Sequence, residues 1–505
     1  MNSLAIKKEK GLNNPIIAQR FLADPYAIEY EGRIYVYGSN DSGGFYKNDA
    51  GEYYKNFYGN IKGINCISSD DMVNWTDHGI IQVAADEHSK REGIAKWASN
   101  SWAPAVCYNK VKDEKTGEEK TKFFLYFANS AANIGVLEAD SPIGPWRDPL
   151  GKPMITREDA GVAGVEWLFD PAVLVDDDGT GYIYFGGGVP SGMEKAPKTG
   201  RVAKLGKDMI SLDGPAVLID APYMFEDSGI NKIGDTYYYS YCSNWSEEAG
   251  QAMGKAQISY MTSKNPMGPF TYQGEMMQNP GQSQYFSGKA WGNNHHCVLA
   301  VDGVHYMFYH TPQYEIDMNI PFENAPEKSA YRTSYVDVMD VYEDGKVRVH
   351  NMTKTGTAKQ LKNVNPYEEN KAVTFAWGEG VATEPKKISK DARTCEMDMS
   401  LDMLDNGDWT GLSKVDFGDG TCNNVKVKAS SEVDFTISFY ADEIDDKNLI
   451  ASVKVGKTDS INDYSEFTGN IVMDKELLKG VHNLIISFEG AELSGNALFD
   501  TWKFE

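Results

Sequence analysis

Ionisable and aromatic residues stand at the heads of five similar pairs of short strands along this sequence. The head residues are Asp24, Trp102, Asp170, Glu226 and His295. Four of them precede a tyrosine in the second strand of their pair, by 11 residues in three pairs and by 12 in the pair that begins at Asp170. A single Asp-Pro is usually only a turn, but recurrence at equivalent places in a repeat predicts one shared site.

Three carboxylates in one pocket have a definite chemical use. Two carboxyl groups on either side of a glycosidic bond provide a proton donor for the leaving group and a base or nucleophile for the anomeric carbon. The donor needs a raised pKa, and a third carboxylate nearby can raise it by like-charge repulsion. Asp24, Asp170 and Glu226 are therefore candidate catalytic residues of a glycosidase. A lectin-like protein is the alternative among non-enzymes, although a protein that only binds sugar has no need of these acids.

The strands that carry the head residues must bring them together. Each head begins a short apolar strand, and a Gly/Asp turn leads to an aromatic strand such as EGRIYVYGS at 31–39 or GTGYIYFGGG at 179–188. Two strands joined in this way form a β-hairpin. Five hairpins of one design predict an all-β protein that begins with a five-bladed β-propeller, with a β-sandwich as the alternative. In a propeller the first strands line the central channel, so the five heads would converge there.

The composition excludes several classes of partner. Lysine and arginine number 49 against 73 aspartates and glutamates, so the net charge is 49 − 73 = −24, and neither nucleic acid nor an anionic membrane is expected as a partner. No apolar run reaches the ~20 residues that span a bilayer. The opening MNSLAIKKEK shows no signal peptide, so a cytoplasmic location is expected. The six cysteines lie far apart, as expected of buried residues in a reducing compartment.

Four short motifs in the first part of the chain resemble one family of enzymes. They are Ala23-Asp24-Pro25-Tyr26, Trp102-Ala103-Pro104, Phe169-Asp170-Pro171-Ala172 and Phe225-Glu226-Asp227-Ser228. In this order they look like glycoside hydrolase family 43, five-bladed propeller enzymes that act on arabinosides and xylosides. The resemblance covers residues 13–355. It implies that Asp24 is the general base, that Glu226 is the general acid, that Asp170 tunes and orients the acid, and that the reaction inverts the anomeric carbon.

The same resemblance implies residues for binding. The run Gly292-Asn293-Asn294-His295-His296 resembles a motif whose histidine faces a metal ion, usually calcium, in the channel, and the spacing favours His295. In the segment Tyr331–Asp337, Arg332 would lie under the sugar and help keep Asp24 ionised. The predicted substrate-binding residues are Trp102, Trp167, Trp245, Asn294 and Arg332. The histidine motif with Trp167 and Trp245 looks most like the arabinoxylan arabinofuranohydrolase branch. Core packing is the structural alternative for the tryptophans, and satisfied polar groups are the alternative for the histidines.

The C-terminal part of the sequence predicts a second domain. A polar connector at 354–366 is followed by strands with period-two alternation, which indicate an antiparallel β-sandwich. The predicted domains are therefore 1–355 and 366–505. The second domain resembles a family 6 carbohydrate-binding module through Asn365-Pro366-Tyr367, Gly407-Asp408-Trp409, Val415-Asp416-Phe417-Gly418, Gly480-Val481-His482 and Phe499-Asp500-Thr501-Trp502.

This second domain departs from its family in two places. Val373 stands where the family usually has a glutamate that helps hold a structural calcium, and Leu498 stands where an asparagine usually serves the sugar cleft. Tyr464 and Trp409 could still offer a stacking face. We therefore expect a module with weakened or lost sugar binding that docks on the propeller as support.

The sequence as a whole predicts an inverting glycoside hydrolase that releases α-L-arabinofuranosyl groups from arabinoxylan or its oligosaccharides. Calcium in the channel is the expected ion, and the chemistry itself needs no cofactor. A β-xylosidase acting on xylo-oligosaccharides is the nearest rival activity, because it would use the same acid and base. The sequence is also compatible with a retaining propeller hydrolase and with a propeller that binds sugar without cleaving it.

Overall fold

The computed structural model describes residues 4–88, 90–112, 117–320, 322–323, 330–386 and 398–505. Seven antiparallel sheets carry most of its regular structure. Sheet 1 contains Leu22–Tyr30, Arg33–Asn40, Ile64–Ser69, Trp75–Ile81 and the late strand Thr374–Phe375. Sheet 2 contains Trp102–Lys112, Glu119–Asn129 and Asn133–Ala139.

The next three sheets have four strands each. Sheet 3 contains Ala172–Val175, Gly181–Phe185, Gly200–Lys204 and Val217–Ile219. Sheet 4 contains Met224–Ile233, Thr236–Ser243, Ile258–Ser263 and Thr271–Met277. Sheet 5 contains His296–Val301, Val304–Thr311, Thr333–Val341 and Val347–Arg348. The first two strands of every sheet pair antiparallel, so all five predicted hairpins are confirmed.

Helices are few and short among the described residues. The α-helices are Glu247–Ala252, Gln313–Met318 and Lys475–Leu478, and the 3₁₀ turns are Asp41–Gly44, Tyr58–Asn60, Pro280–Gln282, Gly288–Ala290 and Asp446–Asn448. Within the described ranges, no helix is long and apolar enough to cross a membrane. Cys66, Cys107, Cys242 and Cys297 are buried thiols, Cys422 is a half-buried thiol, and Cys395 lies outside the described residues.

The five N-terminal sheets pack in cyclic order. The first strand of each sheet contacts the first strand of the next, and the first strand of sheet 5 contacts that of sheet 1. One hydrophobic cluster lies between each pair of neighbouring sheets, including the pair formed by sheets 5 and 1. Because the first strands all face one axis, the residues at their heads come together there.

Two further sheets form the C-terminal part. Sheet 6 contains Lys7–Lys8, Trp377–Glu379, Trp409–Asp416, Val481–Gly490, Phe435–Ala441 and Leu449–Val455. Sheet 7 contains Ala382–Pro385, Met399–Asp402, Ala497–Phe504, Asn424–Ser431, Ser465–Asn470 and the short strand Asn370–Lys371. Apolar residues from the two sheets share one cluster, as expected of two packed layers.

Each part of the chain lends a short strand to the other. Lys7–Lys8 pairs with Trp377–Glu379 in sheet 6, and Thr374–Phe375 pairs with the last strand of sheet 1. The shared C-terminal cluster also takes in aromatic residues of the first part, among them Phe21 and Tyr331.

Polar contacts complete this junction. The amide of Asn74 pairs with the backbone of Ser413 through N–H···O contacts of 3.0 and 2.8 Å. The buried ion pair between Arg20 and Asp77 is hydrogen-bonded to Thr383. The two parts therefore form a continuous interface rather than two bodies on a loose tether.

Candidate active site

At or directly after four of the head residues, one residue adopts a left-handed backbone conformation that is unusual for non-glycine residues. Asp24, Ala103, Asp170 and Asp227 have φ of 49°, 40°, 47° and 66°. In sheets 1, 2 and 4 the strand pairing shifts register at this point, as in a β-bulge. Bulges re-aim side chains, and they are common beside active sites.

This alignment corrects the predicted equivalence of the head residues. The structural counterpart of Asp24 and Asp170 in sheet 4 is Asp227, and Glu226 precedes it by one residue. In the same way, Trp102 stands one residue before Ala103 in sheet 2. The bulge therefore allows sheet 4 to present two neighbouring carboxyl groups to the axis.

Asp24 is buried and lies in direct contact with Arg332. Nη1 of Arg332 donates to Oδ1 of Asp24 over 2.8 Å, and Asp24 is 4% exposed. Burial by itself would raise the pKa of Asp24, but the nearby guanidinium holds the pKa of this carboxyl well below its usual range. Asp24 is therefore ionised at neutral pH, as a general base must be.

Asp41 and Tyr58 hold Arg332 in place, and sequence reasoning missed both residues. The carboxylate of Asp41 accepts hydrogen bonds from Nε and Nη2 of Arg332 at 2.9 and 2.8 Å. The ring of Tyr58 lies 4.9 Å from the guanidinium carbon, a cation–π distance. Such a fork-shaped ion pair fixes the orientation of the guanidinium as well as its charge.

Asp170, Asp227 and His295 form the second half of the cluster. Nδ1 of His295 lies 3.6 Å from Asp24 and 3.8 Å from Asp170, and Nε2 lies 3.2 Å from Asp227. The backbone N–H of Asp227 donates to Oδ2 of Asp170 at 2.9 Å. Burial raises the pKa of Asp170 to about 7, because the opposing pull of the His295 charge is smaller.

Glu226 has the environment of a carboxylic acid that keeps its proton. It is 8% exposed, and none of the described residues gives its buried Oε1 a hydrogen-bond partner. Burial, followed by repulsion from Asp170, Asp227 and Asp24, raises the pKa of Glu226 well above its usual value. An orphaned, buried oxygen costs less on a neutral carboxyl group than on a carboxylate, so Glu226 fits a proton donor.

The residues around His295 do not fit a calcium ion in this arrangement. Both ring nitrogens of His295 face carboxylates. Among the described residues, no group of three or more histidine, cysteine, aspartate or glutamate side chains is arranged to hold a metal ion. Calcium prefers six to eight oxygen ligands, whereas each of the three carboxylates around His295 already accepts a hydrogen bond within the protein.

Two of the predicted tryptophans flank this cluster or pack behind it. Nε1 of Trp102 donates to the carbonyl oxygen of Tyr58, the residue that covers Arg332. Trp167 is half-buried and packs edge-to-face on Phe169 and Phe225, which precede Asp170 and Glu226. Trp102 therefore lies at the edge of the site, and Trp167 supports the strands that carry it.

The remaining predicted binding residues lie further out or deeper. Trp245 is 39% exposed, with its ring 6.2 Å from that of Trp291. Asn294 is fully buried, and its amide group donates to the carbonyl oxygens of Ala256 and Gln278. Contact of either residue with a sugar stays a prediction.

Two buried histidines that sequence reasoning did not assign also contact the carboxylates. Nδ1 of His310 accepts the backbone N–H of Asp24 at 3.0 Å, while its Nε2 lies 3.0 Å from the carbonyl oxygen of Asn293. Nδ1 of His296 lies 2.5 Å from Oδ2 of Asp227. Asp227 could have been found by aligning Asp227-Ser228 with Asp24-Pro25, whereas His310 and Asp41 follow no repeat.

In the C-terminal domain, the two candidate stacking residues, Trp409 and Tyr464, already contact other side chains of the protein. Trp409 packs against Val73 and Trp377 at the junction with sheet 1. The ring of Tyr464 has Nζ of Lys386 at 5.1 Å, and its hydroxyl is hydrogen-bonded to Ser400.

Comparison with known proteins assigns both parts of the chain. Residues 12–347 match the model for glycosyl hydrolases family 43, and residues 371–505 match the model for carbohydrate binding module (family 6). The chain is 43% identical to an arabinoxylan arabinofuranohydrolase of Paenibacillus polymyxa over 99% of its length and 75% of that protein. It is 40% identical to an enzyme of the same name from Bacillus subtilis (strain 168), over 99% of this chain and 94% of that one.

Solved structures agree with these matches. A family 43 arabinoxylan arabinofuranohydrolase from Bacillus subtilis, crystallised with cellotetraose, superposes with a TM-score of 0.89 at 40% identity and covers 100% of this chain and 99% of its own. An α-L-arabinofuranosidase from Clostridium thermocellum has a TM-score of 0.50 at 34% identity over 69% of this chain and 98% of its own. This all-β chain belongs to glycoside hydrolase family 43 and carries a C-terminal family 6 carbohydrate-binding module.

Proposed function

We propose that this protein is an inverting glycoside hydrolase that releases α-L-arabinofuranosyl side groups from arabinoxylan or its oligosaccharides. The observation that carries the proposal is that two carboxyl groups in one buried cluster have opposite protonation states. Arg332 holds the pKa of Asp24 low, whereas burial and neighbouring carboxylates hold the pKa of Glu226 high. An ionised base and a protonated acid at the same pH are what hydrolysis of a glycosidic bond requires.

In the proposed reaction, Asp24 takes a proton from water while the water oxygen bonds to the anomeric carbon. The glycosidic C–O bond breaks, and its electron pair stays on the leaving oxygen, which takes the proton of Glu226. The sugar is released with inverted configuration and without a covalent intermediate. Asp170 is assigned the role of raising the pKa of Glu226, because its negative charge, present once Asp170 has lost its own proton near pH 7, is the second cause of that shift.

The substrate follows from the relatives. The two relatives that match over 99% of this chain are both named arabinoxylan arabinofuranohydrolases, and we extend that substrate to this chain. Trp102 and the exposed Trp245 are proposed to stack on sugar units, because pyranose and furanose rings have apolar faces that pack on aromatic rings. A β-xylosidase would use the same acid and base, so the preference between the two glycosides requires measurement.

We also propose that sheets 1 to 5 are the blades of a five-bladed propeller and that residues 366–505 form a β-sandwich. The predicted propeller domain 1–355 then contributes Lys7–Lys8 to sheet 6 and takes Thr374–Phe375 into sheet 1. The cyclic contacts between first strands and the single cluster shared by sheets 6 and 7 support this division. The C-terminal domain is proposed to support the catalytic domain rather than to bind sugar strongly, since Trp409 and Tyr464 are occupied. A cytoplasmic location stays a prediction.

The family resemblance predicts calcium at His295, but both ring nitrogens of this histidine already face carboxylates. No step of the proposed reaction is assigned to a metal ion, and the carboxylates around His295 accept hydrogen bonds from the backbone N–H groups of Asp227 and His296 and from the guanidinium of Arg332.

The test compares kcat/KM on p-nitrophenyl α-L-arabinofuranoside and on p-nitrophenyl β-D-xyloside, with Asp24→Asn as the control. A preference for the arabinoside that the control loses is the expected result, and a xyloside preference would replace the substrate but keep the mechanism. Proton NMR of the first product should show the inverted anomer. A retained configuration would contradict the role of Asp24.

A further inference from the structure

A cavity of about 400 Å³ lies on the axis of the five sheets, beyond the catalytic carboxylates. The first strands of all five sheets line it, through residues such as Ile28, Val106, Val173, Ile230 and Val298. Towards the outside, its lining reaches the exposed Tyr108. Water can therefore enter the axis from the side opposite the site.

Among the residues that line this cavity, Tyr26, Gly229 and His296 follow the site residues Asp24, Asp227 and His295 most closely along their strands. Among the described residues, its lining stops short of Asp24, Asp170 and Glu226. These three carboxyl groups are 4%, 5% and 8% exposed, so little solvent reaches them from either side.

Tyr26 reaches across the axis from sheet 1 to sheet 3. It lies two residues after Asp24, on the far side of the register shift in this strand. Its hydroxyl donates to the carbonyl oxygen of Val173 at 2.7 Å and accepts the N–H of Val173 at 3.1 Å. Its ring packs against four of the five clusters between neighbouring sheets.

His296 occupies the other side of the same layer. It is 2% exposed, and its two ring nitrogens are held by Asp227 at 2.5 Å and by Ser240 at 2.7 Å. The imidazole is therefore fixed between the carboxylate cluster and the axial cavity, and it cannot swing aside without losing both partners.

We propose that Tyr26 and His296 form an axial partition that keeps water in the cavity away from the catalytic carboxyl groups. Both are positioning residues in this role, because neither is placed in contact with the reacting atoms. The inference rests on the proposed function for the roles of Asp24 and Glu226. Its physical basis is that a buried carboxyl group keeps its proton only while water is excluded, and burial is the largest cause of the raised pKa of Glu226.

Three variants separate the partition from ordinary packing. Tyr26→Ala removes the ring, Tyr26→Phe keeps the ring but loses both hydrogen bonds to Val173, and Ile28→Ala enlarges the same cavity one step further from the site. The measurement is the pH profile of kcat/KM on an aryl α-L-arabinofuranoside. In Tyr26→Ala the basic limb should move to lower pH by about one unit, because water now reaches the acid. Tyr26→Phe and Ile28→Ala should keep the wild-type limb.

An unchanged basic limb in Tyr26→Ala, with a loss of melting temperature like that of Ile28→Ala, would overturn the partition. If Tyr26→Ala fails to fold, Tyr26→Leu provides the same comparison with a smaller gap. The pH dependence of the melting temperature gives a readout without substrate. This dependence should weaken in the Tyr26 variant that folds and opens the partition. An inactive wild-type enzyme would contradict the proposed function, whereas this readout would still decide the partition.

Discussion

The guanidinium group of Arg332 donates a hydrogen bond to Oδ1 of Asp24 over 2.8 Å. Its Nε and Nη2 edge donates to Asp41, so a single side chain joins a buried carboxylate at the axis to a 3₁₀ turn outside the first strands. The contact explains how Asp24 stays ionised in a place that excludes water, because removal of a charge from water is costly unless an opposite charge is close.

Arg332→Met should raise the pKa of Asp24 and move the acidic limb of the kcat/KM profile to higher pH. Activity at the optimum should fall by roughly 10²-fold or more, since a general base contributes on that scale. Arg332→Lys is the matched variant, because it keeps the charge but cannot contact Asp24 and Asp41 with a planar fork. Arg332→Lys should lose activity but shift the acidic limb of the kcat/KM profile less than Arg332→Met does. Equal shifts in both variants would contradict the charge argument.

Glu226→Gln should abolish proton donation and leave folding intact. Turnover of natural oligosaccharides should fall by roughly 10²–10⁴-fold, the usual contribution of a general acid. The loss should be smaller on an aryl glycoside with an acidic leaving group, which departs without a proton. Circular dichroism and the melting temperature serve as controls for folding. Turnover close to wild type on oligosaccharides would end the assignment of Glu226.

The raised pKa of Asp170 predicts how stability depends on pH. Its pKa is 3.8 in an ordinary setting and about 7 in the folded protein, so between these values the folded state holds a proton that the unfolded chain has lost. The free energy of unfolding should therefore fall as the pH rises through this window, by up to about 1.4 kcal/mol per pH unit for one proton. Denaturation of wild type and Asp170→Asn at several pH values checks this, and an equal slope in both would contradict it.

Asn74→Ala should loosen the junction between the two parts of the chain. The substitution leaves the buried N–H of Ser413 without its partner and removes one of the two donors to its carbonyl oxygen. A destabilisation of about 2–4 kcal/mol is expected in urea unfolding. Asn462→Ala, at an exposed position, is the control and should change stability little. If the two variants unfold alike, the Asn74 contact contributes nothing.

Exhaustive chelation tests the predicted calcium directly. The engagement of both nitrogens of His295 with carboxylates leads us to expect no change in kcat or in melting temperature. A loss of either that added calcium restores, but magnesium does not, would place a metal ion in the channel after all.

The hairpins and three central carboxylates were predictable because their signals are local. Alternation, turn residues and repeat spacing identify Asp24, Asp170 and Glu226 without any knowledge of tertiary contacts. Spacing alone did not decide whether Asp227 or Glu226 is the counterpart of Asp24, because Asp227 precedes Tyr238 by the same 11 residues that separate Glu226 from Tyr237.

The rest of the site and of the fold depends on distant segments. Asp41 and His310 reach the cluster from a 3₁₀ turn and from a second strand, and only the cyclic packing of the sheets brings them to Asp24 and Arg332. The two-residue strands exchanged between the domains have no periodicity to detect. Both are fixed by their partners rather than by their own sequence.

The exchanged strand at Lys7–Lys8 has a consequence for how the protein is made. The ribosome releases this strand and the apolar Leu4 and Ile6 long before Trp377–Glu379 and the cluster that covers them. N-terminal domains generally fold first during synthesis, so the five sheets can assemble while this surface still lacks its cover. A nascent chain that stalls within the last domain would expose this surface to chaperones and proteases. The surface is covered only when the final strands have been synthesised.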